Sequence, residues 1–188
     1  MSKSPLEEIH DDHRHMAVLL ELLSSDMAAL REDLEGAVDL ERVRQIMDYF
    51  SGYPDRIHHP REETMLEVFL ERHALSEAME DTWKRVRAQH ATLHQLTRGV
   101  LEMLDAATHD VAVPREHLVE CLQDFIVRQR EHLDMEEREI LPYLEKTMDD
   151  GDWREVNTRM PNSVDPMFGE QIETEYRELY RLLKNRKT

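Results

Sequence analysis

The sequence predicts an all-α fold: an up-down-up-down four-helix bundle with an additional C-terminal helix. Three observations carry this. Gly numbers only 5 and Pro 7 among 188 residues, against 40% hydrophobic and 35% charged, a balance that favours helices over a turn-rich β architecture. Breaks at EGAVD (35–39), RHALSE (72–77), ATHDVAVPR (107–115) and MDDGDW (148–153) leave four segments of about thirty residues each, the length of bundle helices. Within those segments apolar residues recur at alternating spacings of four and three, which lays one stripe along a helix.

The first helix, expected over residues 5–34, carries its stripe on Ile9, His13, Met16, Leu20, Leu23, Met27, Leu30 and Leu34. The second, 39–73, keeps phase through Met47, Phe50, Pro54, His58, Glu62, Met65 and Phe69. Two prolines interrupt it, and each removes a backbone donor and crowds the preceding turn, so a kink or bulge is expected at Pro54 and at Pro60. The third, 77–108, presents Met79, Trp83, Val86, His90, Leu93, Thr97, Val100 and Leu104; the fourth, 115–147, presents Leu118, Leu122, Phe125, Gln129, His132, Glu136, Ile140 and Tyr143. The chain therefore reads as a bundle over 1–147 and an extension over 148–188. In the extension Asp165 is the expected N-cap and Pro166 the first residue of a fifth helix, whose Phe168, Ile172, Tyr176, Leu179, Tyr180 and Leu183 would pack on the bundle or on a second copy in a homodimer.

Charge narrows the function. Asp plus Glu is 41 against 24 for Lys plus Arg, a formal net charge of −17, which repels nucleic acid and anionic lipid head groups. No run of residues approaches the roughly 20 apolar positions that span a bilayer, and the N-terminus lacks an apolar leader core. A single cysteine, Cys121, allows no internal disulfide. A cytoplasmic protein without nucleic-acid or membrane partners is the expectation.

The stripes have a short list of polar exceptions where leucine would be expected: His13, His58, Glu62, His90, His132 and Glu136, with Thr97 and Gln129 nearby. Counted from the connecting loops at about 1.5 Å per residue, the four histidines and two glutamates fall within roughly 3 Å of one level. Together they would be costly to bury uncompensated. A metal cation removes that cost, and His-x-x-x-Glu puts both side chains on one helix face. Mixed imidazole and carboxylate donors suit Fe, Mn or Zn, and their number suits two metals bridged by Glu62 and Glu136. The arrangement repeats internally: HHPREETMLEVFLER (58–72) and HLDMEEREILPYLEK (132–146) share His, Glu-Glu and Leu-Glu in register.

His13 in DHRHMAVLLELL, HHPREE, His90 in AQHATL and HLDMEEREILP together resemble the hemerythrin-like, or HHE cation-binding, family across residues 6–146. The C-terminal DPMFGEQIETEYRELYRLL resembles an extension of some bacterial members. The resemblance implies two non-heme iron ions, oxo- or hydroxo- and carboxylate-bridged, with a position open for a small diatomic ligand. The matching residues are His13, His58, Glu62, His90, His132 and Glu136. A fifth histidine is usual, and His59, His94 and His10 are the candidates; Glu63 and Glu137 are expected to be solvated or to support a ligand. Binding of dioxygen or a related diatomic for storage, delivery or sensing is the leading functional expectation. The alternatives are a di-iron enzyme acting on peroxide or nitric oxide, an iron-handling or repair protein, and a metal-responsive interaction module.

Overall fold

The computed structural model describes residues 3–32, 39–109, 112–160, 164–169 and 171–186. Helix α1 (Pro5–Arg31) begins where Ser4 Oγ accepts from Glu7 N while Ser4 N donates to Glu7 Oε2, a reciprocal cap strengthened by Pro5 at the first helical position. Asp39 caps α2 (Leu40–Tyr53) through the amides of Glu41 and Arg42, and Ser76 caps α4 (Glu77–Thr108) through Met79 N. Leu34 and most of the break at 35–39 lie outside the described residues.

The second and fourth bundle segments are each divided by a five-residue π turn. Pro54–His58 separates α2 from α3 (His59–Arg72), and Glu136–Ile140 separates α5 (Arg115–Met135) from α6 (Leu141–Thr147). At each wide turn the closing amide reaches five residues back, His59 N to Pro54 O and Leu141 N to Glu136 O. Each is followed one residue later by a proline, Pro60 or Pro142. A proline ring crowds the carbonyl four residues back and has no N–H for it, and widening the turn relieves both defects. The expected bulge at Pro54 is present; at Pro60 the ring stands just past the wide turn, inside regular α3. Pro142 has the same effect on the fourth segment, where the sequence reading had an uninterrupted helix.

Helix α5 lies against α1 and α4, and α2 against α4, closing the bundle. Its interior has three layers. Met16, Leu20, Phe50, Leu93, Val100, Leu122 and Phe125 belong to one apolar cluster, and Ile9, Met65, Phe69, Trp83, Val86 and Ile140 to another. Between them, on every bundle helix, the stripe turns polar.

Two features of the extension differ from expectation. Asp149 caps a short helix α7 (Asp150–Arg159) where the sequence reads as punctuation, accepting from Gly151 N and Asp152 N while its own amide donates to Asp152 Oδ2. Asp165 does cap, accepting from Met167 N and Phe168 N at 2.9 Å, but only one turn follows, closed by Gly169 N on Asp165 O. A Cβ at Gly169 would lie 2.3 Å from Val164 Cγ1, so the close approach that ends this turn needs glycine. The last helix, α8 (Arg177–Arg186), starts later, behind a 3-10 turn at Thr174–Tyr176. Met167, Tyr176, Leu179 and Leu183 join the first apolar cluster, so the extension packs on the bundle itself.

Candidate metal centre

The polar layer assembles seven side chains. Helix α1 supplies His13, α4 supplies His90, α5 supplies His132 and the second wide turn supplies Glu136; the first wide turn ends at His58, and His59 and Glu62 follow on α3. Consecutive residues of a regular helix point about 100° apart, so adjacent histidines could not both face inward. The wide turn at Pro54–His58 alters that phase locally, and both imidazoles are buried, His58 at 0% and His59 at 6% exposure.

The donor atoms fall into overlapping groups, each within 4.8 Å: His13, His58, Glu62 and Glu136; Glu62, His90, His132 and Glu136; and His59, His90 and His132. Glu62 faces both sides. Its Oε1 lies 3.4 Å from His58 Nε2 and 3.6 Å from His13 Nε2, and its Oε2 lies 3.4 Å from His90 Nε2. Glu136 Oε2 is 3.4 Å from His13 Nε2 and 3.3 Å from His132 Nε2, with Oε1 3.5 Å from His90 Nε2.

These spacings are long for hydrogen bonds and fit a shared cation. Two donors each about 2.1 Å from one ion lie roughly 3.0–3.4 Å apart at angles of about 90–110°. The Nε2 atoms of His59, His90 and His132, Glu62 Oε2 and both Glu136 oxygens are buried with no hydrogen-bond partner among the described residues. Leaving so many polar atoms unmatched inside a protein is costly unless an ion gathers them. The pair His13 and His58 makes the same point. Each Nδ1 faces a carboxylate, Glu137 Oε1 at 2.7 Å and Asp12 Oδ2 at 3.0 Å, which turns the two Nε2 atoms toward each other at 3.1 Å. With the protons on Nδ1, two lone pairs collide there, and a positive charge must sit between them.

The titration behaviour fits. Burial pulls the His58 imidazole down, but Glu62 and Asp12 outweigh it and raise it to about 10; His90, likewise buried, is raised to about 9 by Glu136 and Glu62. Burial and the neighbouring Glu62 charge lift Glu136 to about 7, whereas burial and the adjacent imidazole His90 hold His59 and His132 well below the usual histidine range. Without a cation this layer must carry protons on some members and exclude them from others.

Outer partners orient the imidazoles. Besides Glu137 and Asp12, Gln89 Oε1 lies 3.4 Å from His132 Nδ1, and the Asp55 carboxylate faces His59 Nδ1 at 3.6 Å, an electrostatic contact longer than a hydrogen bond. Asp12 is also held by Tyr53 Oη, donating at 3.1 Å, with buried Arg61 3.6 Å away. Glu137 thus supports a ring, as one of its two expected roles had it, while Glu63 is held by Arg87 at 3.0 Å. Thr97 and Gln129, whose place in the stripes beside the histidines suits them to fix an imidazole or to touch a bound ligand, hydrogen-bond no imidazole among the described residues: Thr97 donates to Leu93 O, and the Gln129 amide to Met16 Sδ at 4.0 Å. Asp55, four residues before His59, is legible as a helical neighbour. Asp12 and Gln89 reach their rings across the bundle, which no local pattern shows.

Among the three candidates for the fifth histidine, His59 is in the cluster. His94 is not: its side chain is 53% exposed and its Nδ1 bonds Asp55 Oδ2 at 3.0 Å, because regular α4 points it one turn beyond His90 on the outer face. His10 stands outside as well, joined to Glu137 at 2.9 Å.

A helical bundle whose buried middle layer consists of converging imidazoles and two shared carboxylates defines a metal-binding bundle protein. The chain belongs to the hemerythrin family: the model of the hemerythrin HHE cation binding domain matches residues 4–144. Comparison with curated proteins and with solved structures gives no match. Among the described residues no helix is long and apolar enough to cross a membrane.

Proposed function

We propose that the protein binds two iron ions in this layer and uses them to take up dioxygen or a related small diatomic for storage, delivery or sensing. The observation that carries the reading is the unequal division of donors: three imidazoles, His59, His90 and His132, stand on one side of Glu62 and Glu136, and two, His13 and His58, on the other. The two-imidazole side is one protein donor short, and we assign the diatomic to that shortfall. Bound iron would supply the reversible change of oxidation state that such a ligand requires. The chain's own part is to hold the donors and to keep water away. Met16, Met65, Phe69, Leu93 and Ile140, each at most 2% exposed, enclose the layer from above and below.

A groove of about 380 Å³ between α1 and α5 supports access for a neutral molecule. His13 lines it together with the apolar Ala17, Leu20 and Leu133, and charges of both signs line the rest, Arg130 paired with Glu21 and Glu137 with His13 and His10. A second reading, turnover of peroxide or nitric oxide, is favoured by the chain His13, Glu137, His10, whose hydrogen bonds of 2.7 and 2.9 Å offer a proton route to the surface.

Anaerobic reconstitution with ferrous iron, counting metal per chain, followed by dioxygen while the visible spectrum is recorded, tests the proposal. A charge-transfer band that persists with about two irons per chain and fades on removing dioxygen supports reversible binding. Rapid bleaching to a stable oxidised form points to turnover, and no iron uptake removes the reading.

A further inference from the structure

A second cavity reaches the same layer from the opposite flank, and its lining differs in kind. It holds about 420 Å³ between α3 and α4, and its walls include Asp55, His59, Glu63, Glu67, His90 and His94. His59 and His90 belong to the three-imidazole group, so this cavity opens from solvent onto donors of the centre. His90 is the most exposed of the seven, its side chain 13% accessible against 8% for His59 and 4% or less for the others. His59 is buried, its Nε2 without a hydrogen-bond partner among the described residues.

We propose that this cavity is the port through which divalent cations load the centre, with His94 and Asp55 as the first donors at its mouth and Glu67, further along α3, adding to the negative field that draws the cation in. The inference rests on the two-metal reading above. The geometry supplies a graded path: Asp55 accepts from exposed His94 at 3.0 Å through Oδ2 and faces buried His59 Nδ1 at 3.6 Å through Oδ1. One carboxylate therefore touches both an outer imidazole and a ring of the centre. Glu63 is held by Arg87 at 3.0 Å, whereas Glu67, one turn further along α3 and exposed, feels Arg87 only through the longer-range field and makes no hydrogen bond or ion pair among the described residues, so most of its charge faces an incoming cation. A hydrated divalent ion exchanges water for oxygen and imidazole donors in steps, and a mouth carrying carboxylate and histidine lowers the barrier to the first exchange while the negative field raises the local cation concentration. The α1–α5 groove has a comparable relay, His10 to Glu137 to His13, but Arg14 and Arg130 also line it and repel a cation, whereas neither lysine nor arginine is among the residues lining the α3–α4 cavity. His94, drawn to attention by its spacing from His90, thus acts on the centre without belonging to it.

The test is the rate of metal uptake. The protein, stripped with a chelator, is mixed with cobalt(II) in a stopped-flow instrument, and the appearance of the bound-cobalt absorption is followed for the wild type, for His94→Ala and for His94→Ala combined with Glu67→Gln. Both positions are exposed, so both variants keep the bundle. The double variant is expected to load about tenfold more slowly, with a weaker dependence of rate on salt and an unchanged final count of cobalt per chain. Equal rates for all three proteins overturn the port. A lowered final count also overturns it, by making His94 or Glu67 part of the resident site. No cobalt or iron uptake by the wild type overturns the two-metal reading and the port together.

Discussion

Asp12→Asn isolates one half of the centre. Asp12 is 4% exposed; its Oδ2 receives His58 Nδ1 at 3.0 Å, its Oδ1 receives Tyr53 Oη at 3.1 Å, and Arg61 stands 3.6 Å away. Asparagine keeps the shape and one acceptor but removes the charge that holds the His58 proton on Nδ1 and makes Nε2 a stronger donor. A charge-assisted hydrogen bond of this kind contributes about 1.5–3 kcal/mol, and loss of such an outer partner typically weakens a metal by about 10–100-fold. The loss should fall on the ion held by His13 and His58, because Asp12 touches no ring of the other group. Competitive titration against a chelator should therefore split into two steps, the weaker one shifted by that factor. Glu137→Gln should weaken the same ion through His13, and Asp55→Asn the other ion through His59. Equal weakening of both ions by Asp12→Asn, or none, refutes the assignment of outer partners to separate halves.

Other outcomes follow from the same geometry. Glu62→Ala or Glu136→Ala should each lower bound metal by at least one ion per chain, measured by elemental analysis, whereas Glu63→Ala, whose carboxylate is held by Arg87, should not. In the metal-free protein His58 and His90 are raised from 6.5 to about 10 and about 9, so their contribution to stability is complete below pH about 6.5 and is lost as pH climbs through those values. Melting curves at rising pH should show the metal-free form weakening there and the loaded form, with cations in place of protons, holding; parallel losses would sink this. Asp165→Ala removes the acceptor of two backbone amides and leaves the buried Tyr49 hydroxyl without its 2.9 Å partner, and should destabilise the protein by about 2–3 kcal/mol in denaturant titration without changing metal content. Ala17→Phe, on an exposed position of the α1–α5 groove, should slow binding of a diatomic severalfold and leave the rate of cobalt loading unchanged.

Much of the fold was legible because a buried helix must repeat its apolar contacts every three to four residues, and this chain does so along four segments with few glycines to break them. The same periodicity exposed His13, His58, Glu62, His90, His132 and Glu136, since a polar residue in an apolar stripe stands out without any tertiary knowledge. The π turn at Pro142 escaped notice because only the response of a turn to a missing donor reveals it, and α7 because its cap lies in a stretch that reads as a loop. Asp165 shows the opposite error: the cap forms, yet Gly169 and Val164 meet too closely for the helix to go on.

The sequence by itself determined that four helices would meet in a polar layer between two apolar ones, because helical rise and spacing place those residues at one height whatever the details of packing. Only the tertiary structure decided which histidine completes the layer. His59 and His94 are each one short step from the stripe, and the choice depends on a wide turn that changes the phase of the second segment while α4 stays regular. It also decided which side chains orient the rings. Asp12, Gln89 and Glu137 reach their imidazoles from other helices, and contacts across a bundle depend on helix rotation and separation, which one-dimensional spacing does not contain.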